Sequence, residues 1–183
     1  FCAIHPVDQD TMYACYPWLG MQRSFNGGNT YHSISEDITE SGDDDTALFI
    51  SPFALDKVAP SRLLAGGASI WISTDHGWNW HTVLDPLFVT QLCSAIEISP
   101  TQGSLVVWAG YDEGRIWKSE NGAVDWTEVE GFGGPLPNNF VTDIEISPHN
   151  NDVVIVTFGG YLPDRLWMTT DRGSNWQNIS GSG

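Results

Sequence analysis

Basic side chains are scarce in this chain of 183 residues, where seven Lys and Arg stand against 23 Asp and Glu and give a formal net charge of −16. A surface with this balance repels phosphate backbones and anionic lipid headgroups and attracts cations. Nucleic acid is therefore excluded as an expected partner. Most of the negative charge is expected to form a solvated surface rather than one acidic site.

Long apolar runs are missing as well. No stretch approaches the roughly 18 residues that a membrane-spanning helix requires, and no signal peptide opens the chain. The first residue is Phe1 rather than Met, which predicts a processed or partial product. Hydrophobic residues still make up 41% of the sequence, so a single globular domain of this length can bury a core.

Helical periodicity is absent, and an internal repeat is present instead. An eight-residue box occurs four times, as SFNGGNTY (24–31), STDHGWNW (73–80), SENGAVDW (119–126) and TTDRGSNW (169–176). A second landmark, an apolar strand followed by a proline turn and another strand, recurs in the same phase. The two landmarks divide the chain into repeat 1 (1–46), repeat 2 (47–93), repeat 3 (94–141) and repeat 4 (142–183).

Each repeat is predicted to form four short strands, A to D. Strand A ends at the proline turn, strand B follows that turn, strand C leads into the box and strand D follows the box. The last apolar residues of strand A are predicted to be Ile4, Ile50, Ile98 and Ile146. Strand C carries Trp71, Trp117 or Trp167 two residues before the box. Four-stranded antiparallel units at this period are typical of β-propeller blades, so the expected class is all-β.

The boxes resemble the Asp-box, or BNR, repeat S-x-D-x-G-x-x-W of sialidases, xyloglucanase-type glycoside hydrolases, sortilin-type receptors and secreted bacterial propellers. This resemblance spans the whole chain and implies a structural hairpin between strands C and D, on the side away from the binding face. Its members are Ser24, Asn26, Gly28 and Tyr31; Ser73, Asp75, Gly77 and Trp80; Ser119, Asn121 and Trp126; and Thr169, Asp171, Gly173 and Trp176.

Physical chemistry accounts for these residue types. The carboxylate of Asp75 can accept hydrogen bonds from N–H groups of its own loop, Gly77 can take a positive φ, and Trp80 can fill the space between two sheets. Asn26 and Asn121 keep an acceptor oxygen in place of Asp. Ala123 replaces the glycine of the third box, which makes a distorted turn the expectation there.

Propellers with this box usually have six or more blades. The resemblance therefore implies a segment of a larger propeller, or a chain that completes its ring with partners, with a closed ring of four blades as the alternative. Open ends expose apolar blade faces that require covering.

The turns between strands B and C lie at the end of the sheets opposite the boxes, which makes them the expected binding end. Their aromatic residues are candidates for stacking against sugar rings, or they cover the ends of the blades. These candidates are Tyr16, Trp18, Tyr111 and Tyr161.

Catalytic candidates at the same end are Asp112, Glu113 and Asp164, because glycoside hydrolysis uses two carboxylates roughly 5 to 9.5 Å apart. Solvated surface acids are the alternative. The three converging arginines of sialidases are not matched, since only Arg115 and Arg165 occupy the corresponding register. The motifs around the catalytic aspartates of xyloglucanase-type enzymes are not recognisable either.

Acidic residues of repeat 1 are weak candidates for a calcium site. Asp43, Asp44 and Asp45 follow one another, with Glu36, Asp37 and Glu40 upstream. The run lacks the spacing of a calcium-binding loop, so a mobile, solvated segment is favoured. No other metal or cofactor is predicted, because the histidines do not form a ligand motif.

The cysteines of repeat 1 allow one specific prediction. A turn over residues 6–11 pairs Ile4 with Tyr13 and sets Cys2 opposite Cys15, a candidate cross-strand disulfide. Two buried free thiols are the alternative, and an oxidising compartment would favour the disulfide. Asn178 begins the sequon NIS.

Taken together, the predicted function is a secreted or cell-surface recognition or scaffold module for carbohydrate or protein partners. The first alternative is a portion of a xyloglucanase-type glycoside hydrolase. The second is an extracellular structural protein that self-assembles through its open blade ends.

Overall fold

A computed structural model describes residues 1–85, 91–101, 105–130, 133–161 and 163–181, and their regular structure is entirely β-strand. Within these ranges sixteen strands form four sheets of four, each hydrogen-bonded in chain order. Sheet 1 contains β1 (Cys2–Ile4), β2 (Met12–Tyr16), β3 (Gly20–Ser24) and β4 (His32–Ser33), and sheet 2 contains β5 (Phe53–Leu55), β6 (Leu63–Gly66), β7 (Ile70–Ser73) and β8 (His81–Leu84). Sheet 3 contains β9 (Cys93–Ile98), β10 (Val107–Tyr111), β11 (Ile116–Ser119) and β12 (Thr127–Glu130), and sheet 4 contains β13 (Val141–Ile146), β14 (Val154–Phe158), β15 (Leu166–Thr169) and β16 (Gln177–Asn178). The predicted all-β class is confirmed.

The first compact unit of the chain, Phe1–Cys93, is built from sheets 1 and 2. Side chains alternate between the two faces of a strand, so each sheet has two faces. Tyr13 and Met21 on one face of sheet 1 share a core with Leu63, Ala65 and Trp71 of sheet 2. Sheet 1 packs on sheet 2, and sheet 3 packs on sheet 4. We call the packed face of sheet 1 or sheet 3 its forward face, and the packed face of sheet 2 or sheet 4 its back face. The other face of sheet 1 or sheet 3 is then its back face, and the other face of sheet 2 or sheet 4 is its forward face.

The second unit, Ser94–Gly183, repeats this arrangement with sheets 3 and 4. Trp108 and Ile116 on the forward face of sheet 3 share a core with Val154 and Val156 on the back face of sheet 4. Burying each such side chain stabilises the fold by about 1.5 to 3 kcal/mol. In both units the core therefore lies between a forward face and a back face.

Strand A of repeat 2 differs from the prediction. Ile50, which was expected to end it, is 65% exposed, and the strand is β5, which begins three residues later. The turn that follows is closed by Asp56, whose carboxylate accepts the N–H groups of Val58 at 2.7 Å and Ala59 at 2.9 Å and pairs with Arg62 at 2.7 Å. Pro52 precedes this strand and Pro60 follows it, and Pro60 is the proline of the turn.

The predicted Cys2–Cys15 disulfide is wrong, and both of these thiols are free. Cys2 pairs with Ala14 and Ile4 pairs with Met12, one residue away from the predicted register. The N–H of His5 closes the hairpin on the carbonyl of Thr11 at 3.0 Å, so the turn contains five residues rather than six. Because a one-residue shift moves a side chain to the other face of a sheet, Cys2 and Cys15 lie on opposite faces.

The turns between strands C and D share one hydrogen-bond pattern. In repeat 2 the Ser73 hydroxyl accepts the N–H of Gly77 at 2.8 Å, and Asp75 accepts the N–H of Asn79 at 3.0 Å. Burial raises the pKa of Asp75, but hydrogen bonds from Asn79 and Ser73 outweigh it and bring the pKa to about 2. Since this pKa is depressed, the stabilisation is complete above the ordinary value of 3.8 and is lost as the pH falls through about 2.

The third of these turns keeps the same backbone in spite of its alanine. Gly122 and Ala123 have φ values of 79° and 73°, close to the 64° and 86° of His76 and Gly77. The N–H of Ala123 bonds the Ser119 hydroxyl at 2.9 Å. The expected distortion is therefore absent. Ala123 carries the strain of a left-handed conformation, about 1 to 2 kcal/mol.

Each box also pairs the residue in its Asp position with the residue four positions later. Asp75 accepts the Asn79 amide at 2.6 Å, and Asp171 accepts the Asn175 amide at 2.7 Å. In repeat 3 the polarity is reversed, because the Asn121 amide donates to Asp125 at 2.8 Å. In repeats 2 to 4 an amide at one position is thus matched by a carboxylate at the other, whereas in repeat 1 the Asn26 amide donates to the Thr30 hydroxyl at 2.9 Å.

Changing Asn121 to Asp is expected to lower the free energy of unfolding by about 1 to 2 kcal/mol, because two exposed carboxylates then face each other across a lost charge-assisted hydrogen bond. The double variant Asn121→Asp/Asp125→Asn should recover most of this loss, since it recreates the pair found in repeat 2. Urea denaturation of the wild type, both single variants and the double variant measures the coupling. Additive losses would contradict the reversed pairing.

The residue just before the box is basic in repeats 1 and 3 and apolar in repeats 2 and 4. Arg23 of repeat 1 donates from Nη1 to the carbonyl of His76, and Lys118 of repeat 3 donates to the carbonyl of Arg172 at 2.9 Å. The equivalent residues of repeats 2 and 4 are apolar, Ile72 and Met168. A cation on each odd sheet therefore ties it to the box of the even sheet in the same unit.

Candidate functional site

The B–C turn of repeat 1 exposes an aromatic group at the predicted binding end. Tyr16 is 59% exposed and Phe49 is 62% exposed. The Trp18 ring meets Phe49 edge to face, with 5.4 Å between the ring centres. We call Tyr16, Trp18 and Phe49 the aromatic group. Phe49 was not among the sequence candidates, because it lies in the connection between repeats and its approach to Trp18 depends on tertiary structure.

Backbone strain accompanies this group. Trp18 and Leu19 have φ values of 55° and 62°, in the left-handed region that bulky residues rarely adopt. Leu19 is fully buried in the core of the first unit, and the N–H of Gly42 bonds the Trp18 carbonyl at 2.7 Å. These contacts offset a strain of about 1 to 3 kcal/mol per residue. The Trp18 ring of the aromatic group is therefore held in place by its own turn.

Glu40 lies at the same end and has a role that sequence reasoning missed. Its carboxylate accepts the Ser69 hydroxyl at 2.6 Å, the Ser69 N–H at 3.2 Å and the indole N–H of Trp71 at 3.2 Å. Asp37 similarly accepts the N–H of Trp80 at 3.2 Å. Two of the three acids considered as additional calcium ligands therefore bond protein donors.

In the B–C turn of repeat 3, one of the aromatic candidates is buried. Tyr111 is only 5% exposed and does not present its ring to solvent, contrary to the prediction. Asp112 and Glu113 occupy a tight turn in which the N–H of Tyr111 bonds the carbonyl of Arg115 at 3.0 Å. Glu113 is exposed and Asp112 is half-buried. Only Glu113 is thus fully presented to solvent in this turn.

In repeat 4, Tyr161 is fully exposed, as predicted. Asp164 is exposed and its carboxylate accepts the amide of Asn178. Arg165 donates to the carbonyl of Gly160 in its own loop at 3.0 Å. The corresponding Arg115 pairs with Glu128 at 2.8 Å. Both arginines are therefore engaged within their own sheets, which does not favour a carboxylate-binding arginine site.

The three consecutive acids remain together in the structure. Carboxylate oxygens of Asp43, Asp44 and Asp45 lie within 4.8 Å of one another, and all three residues are exposed. Asp43 also accepts the N–H of Asp45 at 2.9 Å, which is a local turn interaction. Exposed acids grouped in this way are consistent with the solvated segment favoured by the sequence.

At the opposite end of the first unit, Trp78 and His76 take part in a link between sheets. The Arg23 guanidinium is buried, with its central carbon 4.0 Å from the ring centre of Phe25 and 4.2 Å from that of Trp78. The Tyr13 hydroxyl lies 3.3 Å from Nδ1 of His76. Burial lowers the pKa of Arg23 and raises the pKa of Tyr13. These residues therefore have a structural explanation.

Comparison with solved structures assigns the four sheets to the β-propeller class. An ancestral GH74 enzyme matches all of this chain with a TM-score of 0.74 and 17% identity, over 24% of its own length. The GH74 xyloglucanase from Xanthomonas campestris matches 96% of this chain with a TM-score of 0.73 and 17% identity, over 29% of its length. YCF48 from Cyanidioschyzon merolae matches 96% with a TM-score of 0.63 and 13% identity, over 54% of its length.

Two particular relatives are similar in sequence. A probable oligoxyloglucan-reducing end-specific xyloglucanase from Neosartorya fischeri is 24% identical over 195 residues, covering 97% of this chain and 23% of the relative. The oligoxyloglucan-reducing end-specific xyloglucanase from Emericella nidulans is 25% identical with the same coverage. The chain thus spans about a quarter of the length of the curated relatives it matches.

No family model matches the chain. Among the described residues there is no helix with the length and hydropathy to span a membrane.

Proposed function

We propose that this chain is a four-sheet part of a larger β-propeller assembly that recognises a β-glucan of the xyloglucan type. The observation that carries the proposal is the similarity to two xyloglucanases along 97% of the chain. The turns between strands C and D would then be Asp boxes, with a structural role. An extracellular or cell-surface location follows, because polysaccharides of this kind lie outside the cell.

The aromatic group is the part of the molecule best suited to this recognition. Aromatic rings pack against the apolar faces of sugar rings, and a rigid ring loses little conformational entropy on binding. Tyr16 and Phe49 are exposed, while the strained turn and the buried Leu19 hold Trp18 against Phe49. A neutral polysaccharide is also compatible with a surface of net charge −16, which disfavours anionic ones.

Replacing both Tyr16 and Phe49 with Ala is expected to weaken binding of xyloglucan oligosaccharides at least about tenfold, because two exposed stacking surfaces are removed. Isothermal titration calorimetry measures this change. Tyr31→Ala is the matched control, since Tyr31 is 41% exposed but belongs to a C–D turn. Equal affinities for the double variant and the wild type would exclude the aromatic group as the binding site.

Hydrolysis is the second candidate function, favoured because both sequence relatives are named as xyloglucanases. The residues that would act as acid and base are Asp112, Glu113 and Asp164. Their triple replacement Asp112→Asn/Glu113→Gln/Asp164→Asn should lower xyloglucan hydrolysis by about 100-fold or more if they do so. Asp143→Asn/Glu145→Gln, which removes two exposed carboxylates from β13, is the control. Activity that survives the triple replacement would eliminate this candidate.

A protein partner remains the alternative for the same surface, as a scaffold role would require. If the surface binds a protein instead, the chain should show no affinity for any β-glucan oligosaccharide in the titration above.

A further inference from the structure

The sequon Asn178-Ile179-Ser180 is a motif that the proposed function does not use. The glycosylating enzyme of the secretory pathway accepts an asparagine when Ser or Thr stands two residues later and the residue between them is not Pro. No other asparagine of the sequence meets both conditions. Because so short a motif is common by chance, the surroundings of Asn178 decide whether the position can carry a glycan.

Asn178 lies on β16, the edge strand of sheet 4, and is exposed. It pairs with Trp167, which packs against the core between sheets 3 and 4, so Asn178 belongs to the back face of sheet 4. Its exposure is therefore found on the face that already has a neighbouring sheet. The equivalent residues of the other three sheets are exposed too: Ser33, Thr82 and Glu128. Access to solvent is thus a property of this position in strand D, which is the edge strand in each sheet.

The hydrogen bonds of the Asn178 amide leave room for a substituent. Its Oδ1 accepts the N–H of Ser180 at 2.8 Å, and its Nδ2 donates to the carboxylate of Asp164. A side-chain amide carries two N–H donors, and the second one has no partner within the described part of the chain. N-glycosylation replaces one amide hydrogen, so the bond to Asp164 can persist beside a glycan.

The Ser180 hydroxyl is fully occupied in the folded sheet. It accepts the N–H groups of Arg165 and Leu166 at 2.9 Å each and donates to the carbonyl of Leu166 at 3.3 Å. The N–H of Ile179 bonds the same carbonyl at 2.8 Å. A folded sequon is therefore held against β15. Transfer of a glycan has to precede the pairing of β16 with β15, which places it during synthesis of the chain.

We propose that Asn178 is an attachment site for an N-linked oligosaccharide. The donor is a lipid-linked oligosaccharide diphosphate of the secretory pathway. A bond forms between Nδ2 of Asn178 and C1 of the first N-acetylglucosamine, and the bond between C1 and the diphosphate oxygen breaks. The diphosphate keeps the electron pair, and the amide gives up one proton. This inference rests on the proposed function only for its extracellular location.

The glycan would stand at the predicted binding end of sheet 4, because Asp164 belongs to the B–C turn of repeat 4. Asp164 then supports the linkage amide through its hydrogen bond to Nδ2. Sugars attached to Asn178 would restrict the access of a polysaccharide to the Asp164 carboxylate. The site therefore bears on which of the candidate acids a substrate could reach.

Secretion of the chain from yeast behind a cleavable signal peptide tests the site. Most of the secreted protein is expected to carry one glycan and to lose mass on treatment with peptide N-glycosidase F, which converts the glycosylated asparagine to aspartate. Peptide mapping should find this conversion at Asn178. A secreted chain with an unmodified Asn178 would overturn the inference.

Three variants separate the sequon from its surroundings. Asn178→Gln and Ser180→Ala should both be secreted without a glycan, whereas Ser180→Thr keeps the sequon and should retain it. Ser180→Ala also removes the acceptor of two backbone N–H groups, so Asn178→Gln alone carries the comparison if that variant is not secreted. A glycan that persists in Asn178→Gln would refute the assignment.

Thermal unfolding tests the role given to the second amide hydrogen. The glycosylated protein and the same protein after endoglycosidase H, which leaves one N-acetylglucosamine, should melt at the same temperature as Asn178 made in bacteria without a glycan. A lower melting temperature of both glycosylated forms would contradict the free position on Nδ2. Titration of the same samples with xyloglucan oligosaccharides separates the two proposals. A glycosylated chain that binds none leaves this site standing while the proposed recognition fails, and an unmodified chain that binds them gives the reverse.

Discussion

Replacing Arg23 with Ala is expected to lower the free energy of unfolding by about 4 kcal/mol, the largest effect predicted for a single side chain here. Arg23 is 1% exposed, packs against the rings of Phe25 and Trp78 and donates to the carbonyl of His76. Its removal leaves a cavity beneath two rings and a carbonyl without its donor. Chemical denaturation in urea measures the loss.

Two control variants separate volume from charge. Arg23→Met keeps most of the volume and places at this position the residue that repeat 4 carries there, so its expected cost is only about 1 to 2 kcal/mol. Lys118→Ala removes the equivalent donor of repeat 3. It should cost about 1 kcal/mol, because in the described part of the chain no aromatic ring is found to pack on the Lys118 ammonium as Phe25 and Trp78 pack on the Arg23 guanidinium. Equal losses for Arg23→Ala and Lys118→Ala would contradict the role given to the rings.

Gly77→Ala is expected to destabilise the first unit by about 3 kcal/mol. Gly77 has a φ of 86°, where an alanine costs about 1 to 2 kcal/mol. Its added methyl would also lie 2.6 Å from Cδ1 of Ile34, which adds an overpacking cost of about 1 to 3 kcal/mol. Thermal and urea unfolding both report this change.

Gly42→Ala provides the matched comparison, because Gly42 has a nearly identical φ of 85° and open space around its Cα. Only the backbone strain applies there, so a loss of about 1 kcal/mol is expected. The difference between the two variants isolates the contact between the box and Ile34. Similar losses at both positions would mean that backbone strain alone explains the requirement for glycine.

The local features of this protein were predictable because their interactions stay within a few residues. The box hairpins follow from Asp75, Gly77 and their equivalents, whose hydrogen bonds reach no more than four residues along the chain. Ala123 was the exception. The sequence indicated a distorted turn, but the hydrogen bond to Ser119 and the surrounding packing hold alanine in the conformation of glycine.

Features that depend on register or burial were less predictable. A hairpin turn of five residues instead of six separated Cys2 from Cys15, and the sequence contains no signal that distinguishes the two lengths. Strand A of repeat 2 was misplaced because Pro52 and Pro60 offer the same turn signal. Tyr111 was predicted to be exposed from its turn position alone, but packing covers its ring.

The sequence by itself determined the repeat, the all-β class and the chemistry of the C–D turns, because period, strand alternation and short-range hydrogen bonds are all written in neighbouring residues. Only the tertiary structure decided which side chains meet across sheets. Arg23 finds the carbonyl of His76, Glu40 finds Ser69 and Trp18 finds Phe49 at separations of about thirty to fifty residues. Such contacts follow from how sheets pack, since faces and distances between sheets are not encoded in any local pattern.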